Sequence, residues 1–106
     1  MKRKMIGALL VGMLLAPLVA FAEQEINGVF IDRLYVDPTD VVVLTDTSNG
    51  CGSNFYHLLR TNTNFKEMYA IIFLAFKSQI AINLTVMDEC VEGDRKVISH
   101  GSMQAQ

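Results

Sequence analysis

The chain has 106 residues, two cysteines, no tryptophan and a formal charge of −2, enough for one small domain. Its hydrophobic content of 51% overstates the core, because much of it sits in the first 22 residues. Without them, 84 residues remain with six Lys and Arg against eleven Asp and Glu, a net −5 that repels phosphate backbones and argues against nucleic acid as a partner.

Those first residues read as a signal peptide of bacterial type. Lys2, Arg3 and Lys4 form a basic start, residues 5–19 are apolar, and Ala20-Phe21-Ala22 supplies a small-x-small cleavage pattern before Glu23. The apolar run is too short to span a bilayer comfortably. The expectation is an exported protein, periplasmic or secreted, with residues 23–106 as its single small domain and no membrane span in the mature chain.

Residues 26–36 are rich in β-branched and aromatic side chains and predict a first strand. Asp37-Pro38-Thr39-Asp40 is a turn, and residues 41–44 are a short apolar second strand. Ser48-Asn49-Gly50-Cys51-Gly52-Ser53 marks a loop, since Asn-Gly tolerates positive φ. Residues 55–60 predict a third strand, with Phe55, His57 and Leu59 on one face and Tyr56, Leu58 and Arg60 on the other.

Asn64 followed by Glu67 approximates a capping box and starts a helix over residues 65–79, about 22 Å long. Its polar residues, Lys66, Glu67, Lys77, Ser78 and Gln79, lie at the two ends, so the centre has no polar stripe. That pattern predicts burial on more than one side, either by plugging a barrel or by meeting a second subunit in a homo-oligomer. Residues 80–87 alternate with a period of two and predict a half-buried strand. Residues 88–95 form an acidic loop, residues 96–99 begin a last strand, and residues 101–106 are expected to fray.

Cys51 and Cys90 are the only cysteines of a chain bound for an oxidising compartment, so the simplest expectation is that they pair. Closing a loop of about 40 residues stabilises by about 4 kcal/mol on the chain-entropy account. No CxxC spacing or histidine cluster favours a metal instead.

The element order is β-β-β-α-β-β, mainly β with one helix, which is the order of a small oligonucleotide/oligosaccharide-binding (OB) barrel. In that topology the first strand lies antiparallel to both the second and the fourth. The two cysteine loops then fall at the same end, as a disulfide requires. A β-meander with one packed helix gives the same string.

The stretches Cys51-Gly52-Ser53-Asn54-Phe55-Tyr56, Lys66 to Lys77 and Ile80 to Cys90 resemble a group of small exported proteobacterial proteins. Their layout is a cysteine before strand three, a helix with an apolar-Ala-apolar end, a strand, then the second cysteine. More distantly, the chain is similar to the pentameric receptor-binding B subunits of subtilase-cytotoxin and pertussis-like toxins. The likeness covers most of the mature chain through layout, with no diagnostic motif. It implies an OB-like fold, a disulfide and glycan binding by a ring; no sugar-contacting residue of that family maps onto this sequence. The apolar helix departs from the more polar helices that line toxin pores.

No catalytic constellation is visible. His57 sits on a predicted strand, His100 lies near the end, and Ser53 lacks a G-x-S-x-G context. Asp88, Glu89, Glu92 and Asp94 lack the spacing of a calcium loop. A non-enzymatic binding module is therefore the expectation, with no cofactor and no metal. Candidate ligand contacts are aromatics beside polar groups at strand edges: Tyr35 with Asp37 and Asp40, and Tyr56 with Asn54 and Arg60. The alternative is an envelope protein, structural or inhibitory, that binds a protein partner through the apolar helix.

Overall fold

The computed structural model describes residues 22–105; all but the last residue of the expected signal peptide lies outside them. Six strands and one helix follow in order: β1 (Glu23–Val29), β2 (Ile31–Val36), β3 (Asp40–Thr45), β4 (Phe55–Leu59), α1 (Phe65–Ser78), β5 (Ile82–Met87) and β6 (Lys96–Ser102).

The predicted first strand is two. Gly28 at φ +68° gives its amide to Asn83 Oδ1 at 3.0 Å, and the β1–β5 register slips between Ile26 and Val29. A residue in the left-handed region is where a bulge turns a strand, and glycine adopts it without a Cβ clash. Beyond Phe30 the chain leaves β5 and pairs with β3 instead. The sheet order is β1-β5-β6-β4-β3-β2, with β4 and β6 parallel and every other pair antiparallel. The sheet is open, and its two terminal strands are consecutive in the chain.

Alternation decides the inner face. Along β5, Ile82, Leu84 and Val86 are buried, and Val41 and Val43 of β3 and Tyr56 and Leu58 of β4 join them. Helix α1 packs on β2, β4 and β6 and contributes Met68, Ile72 and Ala75 to this core. Each such full burial of a Val, Leu, Ile or Met side chain contributes about 1.5–3 kcal/mol.

Two expectations about the helix change. Asn64 makes no side-chain cap; its amide instead donates to Ser99 O at 3.1 Å, tying the helix start to β6. The helix ends where Gln79 turns left-handed at φ 54° and gives its backbone N–H to Ala75 O. The apolar centre is buried on one side only, with Phe73 and Leu74 46% and 49% exposed. At the other end of the chain, residues 101 and 102 do not fray. They extend β6 and pair with Leu84 and Asn83. An added Cβ at Gly101 would lie 2.7 Å from Asn83 O, so only glycine lets the two backbones approach this closely.

Candidate functional site

Cys51 and Cys90 form the expected disulfide, with Cα atoms 5.9 Å apart. It ties the loop after β3 to the loop after β5, at the same end of the sheet. The second loop, residues 88–95, leans over the outer face of β4 and β6.

That outer face is ordered by register. Tyr35 pairs with Val42, Val42 with His57 and His57 with Val97, so these four side chains form a row across β2, β3, β4 and β6. Phe55 precedes His57 by two residues and shares its face. Two hollows flank the row.

The first, about 310 Å³, is lined by Tyr35, Asp37, Val42, Phe55 and Arg95. The Tyr35 and Phe55 rings lie 6.3 Å apart at 50°. The Arg95 guanidinium sits 5.5 Å from the Phe55 centroid, within reach of a cation–π contact. Arg33 does the same over Tyr35 at 5.7 Å and donates to its hydroxyl at 2.9 Å. The rings are thus held in place from the sides while Tyr35 stays 40% exposed.

The second hollow, about 250 Å³, is lined by Thr39, Asp40, His57, Leu59, Val91, Glu92 and Val97. Here His57 Nδ1 donates to Asp40 Oδ2, and the His57 side chain is 4% exposed. Its other nitrogen, Nε2, is buried without a hydrogen-bond partner; Glu92 Oε1 lies 3.7 Å from it. A third and larger hollow, about 390 Å³, lies between residues 62–64 and β6. Its Asn62 and Asn64 amides are already bonded to Ile98 O and Ser99 O.

The six residues singled out in the sequence are therefore scattered over different surroundings. Tyr35 and Asp37 share the first hollow, and Asp40 turns into the second. Arg60 gives its Nε–H to Asp37 O at 2.9 Å and stacks over Phe65 at 5.2 Å. Asn54 donates to Thr45 O at 3.1 Å and pins the start of β4. Tyr56 has no exposed ring to offer a ligand: it is fully buried, and its hydroxyl donates to Thr47 O and Ser48 O at 3.1 and 3.2 Å. Burial pushes its phenol up to about 12, opposed by a hydrogen bond with Thr45 and assisted by the Asp46 charge.

Phe55, Arg95 and Glu92 complete the two hollows and were not among those six. The alternation of Phe55 with His57 was a usable signal; nothing local marked Arg95 or Glu92. Among the described residues, no group of three or more His, Cys, Asp or Glu converges to hold a metal ion, and no helix is long and apolar enough to cross a membrane. The chain matches no protein-family model and no curated protein.

Proposed function

We propose that this chain is an exported, non-enzymatic binding module that receives a glycan on the outer face of β2, β3, β4 and β6. The carrying observation is the hollow between Tyr35 and Phe55, where two aromatic rings 6.3 Å apart stand beside Asp37 and Arg95. Aromatic faces meet the C–H face of a sugar ring, and fixed charged groups take its hydroxyls. An OB-like barrel is the frame of this reading. It is supported by β1 and β2, which end the sheet order on either side yet are separated in the chain by Phe30 alone. A first strand shared between two halves of a barrel has that arrangement. Export is supported by the Cys51–Cys90 disulfide.

Glycan-array binding of the oxidised protein, with Tyr35→Ala alongside, tests the reading. Retention on a defined subset of glycans, weakened about tenfold by the substitution, is expected for a stacked ring. Indifference to every glycan overturns it. The native mass of the same sample separates a toxin-B-like ring from a single subunit.

A second reading rests on Phe73 and Leu74, exposed at the centre of α1: an envelope protein that docks a protein partner, or a second copy, through the helix. Co-purification of one partner at fixed stoichiometry, abolished by Phe73→Glu, distinguishes it from glycan binding.

A further inference from the structure

We propose that the outer face of α1 docks a second copy of this chain, helix against helix and antiparallel, about a two-fold axis at the level of Ile72. This contact rests on the second reading above, which it commits to one occupant, and it is independent of the glycan hollow.

The helix has one buried stripe and an apolar centre on its opposite side. Met68, Ile72 and Ala75 face the core. At 3.6 residues per turn, Ala70 and Lys77 lie directly opposite that stripe. Leu74 and Glu67 flank them on one side, Phe73 and Lys66 on the other, and all six are exposed. Phe73 is not a loose side chain. It ends a row of stacked rings, Phe65 to Tyr69 at 6.0 Å and Tyr69 to Phe73 at 6.1 Å, so it has little rotamer freedom left to lose on docking. Ala70, one turn before Leu74, offers only a methyl group and leaves a depression in the middle of the face.

The charges choose the occupant. The chain carries a net −5 without its first 22 residues, so two copies repel over most of their surface. The outer face of α1, with two lysines and one glutamate, escapes that repulsion. An anionic lipid surface meets the same net charge, and two lysines make a small basic face for an interfacial helix. The pattern is instead complementary to itself. A two-fold axis perpendicular to α1 at Ile72 sets Leu74 of each copy into the Ala70 depression of the other and brings the two Phe73 rings together. It also sets Glu67 level with Lys77 of the second copy, and a two-fold contact makes every such pair twice. The helix dipoles then run opposed, their favourable sense. A parallel pair would place Lys77, on the midline of the face, against its own copy. Because α1 covers the inner core, the antiparallel dimer leaves Tyr35 and Phe55 open on both outer faces, which makes a bivalent binder. A single 14-residue helix offers less than the roughly 800 Å² per partner of a standard interface, so the expected Kd is about 100 μM.

Sedimentation equilibrium of the oxidised chain over residues 23–106, from about 10 μM to about 1 mM, is expected to show a monomer–dimer equilibrium. The amide shifts of Ala70, Phe73 and Leu74 should move with concentration. Glu67→Lys and Lys77→Glu, both at exposed positions, should each weaken the dimer about tenfold, since each turns two attractions into repulsions. The double variant restores both pairs and should regain wild-type affinity, although it carries the unfavourable helix-dipole charge of both changes. Wild-type affinity in the single variants, which a parallel pair would give, overturns the proposal, as does a double variant no tighter than the singles. So does a ring larger than a dimer, or binding to phosphatidylglycerol vesicles that Phe73→Glu abolishes. A monomer at about 1 mM that co-purifies with one other protein overturns the second copy and leaves the second reading standing; a monomer with no partner overturns both.

Discussion

The loop between β3 and β4, residues 46–54, carries its own buried fastening, whereas the loop between β5 and β6, residues 88–95, is held largely by what it touches. Asn49 is 1% exposed. Its amide faces Ser53 Oγ, Phe55 O and Asp94 O at 3.1, 2.7 and 2.7 Å, and its carbonyl accepts the Cys51 N–H at 2.6 Å. Tyr56 bonds the same loop from below. Within the second loop are a short bridge between Val91 and Arg95, partly exposed pairings of Arg95 with Glu92 and Asp94 at 3.5 and 3.4 Å, and two successive left-handed residues, Glu92 and Gly93 at φ 50° and 87°. Its remaining ties run to its neighbours: the disulfide, the Asn49 and Ser53 bonds to Asp94 O, and Lys96 Nζ to Asp88 at 3.4 Å. A self-fastened loop thus supports a dependent one, and the dependent loop roofs both hollows. Binding sites are commonly placed so, on a segment of low local stability over a rigid floor.

Removing the disulfide is the strongest way to break that contrast. Cys51→Ala with Cys90→Ala should cost about 4 kcal/mol in urea unfolding, from the 39-residue separation it closes. Hydrogen exchange should rise first in residues 88–95, while residues 46–54 keep their protection through Asn49. Equal loss of protection in both loops would show that the bridge, and not the buried amide, holds the first one.

Asn49→Ala attacks the floor itself. It removes a buried donor shared by Ser53, Phe55 and Asp94, leaving Asp94 O only the Ser53 hydroxyl, which should cost about 2 kcal/mol. The disulfide remains, so the roof should loosen only because its support has gone. A urea midpoint within error of wild type would remove Asn49 from the account.

How much of this was readable in advance differs by distance along the chain. The period of two in β5 is a local signal, and its Ile82, Leu84 and Val86 face inward as expected. The helix start follows from the spacing of Asn64 and Glu67, and the cysteine pairing from there being only two in a chain read as exported. The break of the first strand was less visible. Gly28 was in plain view, but the reason for its conformation is Asn83, 55 residues away. The Asn64 cap failed in the same way: its side chain is held by a bond from Nδ2 to Ser99 O, 35 residues away. At the candidate site, Tyr35 and Asp37 are near neighbours on one edge and line one hollow. Asp40 was grouped with them by sequence, yet register sets it beside His57, 17 residues on. Tyr56 looked like an edge aromatic because nothing in a five-residue strand says which face meets α1.

Tyr56 also gives the floor a pH signature. Its phenol is raised from 10.0 to about 12 by burial, so the unfolded chain loses this proton first as pH rises. The associated stability is present in full below pH 10 and disappears between about 10 and 12, a loss of about 2 kcal/mol. Urea midpoints at pH 9 and pH 11 should differ by more in wild type than in Tyr56→Phe, which has no proton to lose. Identical pH dependence in the two proteins would place the titration elsewhere.

The smallest expected change sharpens the contrast most, because its sign is favourable. Glu92 holds a left-handed conformation at φ 50°, which costs a residue with a Cβ about 1 kcal/mol and costs glycine almost nothing. Its exposed pairing with Arg95 at 3.5 Å returns little of that. Glu92→Gly should therefore raise stability by about 0.5 kcal/mol, read as a small upward shift in the urea midpoint. The same substitution removes the carboxylate that lies 3.7 Å from His57 Nε2. A loss of stability would mean that Glu92 acts as a fastening of the roof, and the two loops would then differ in degree and not in kind.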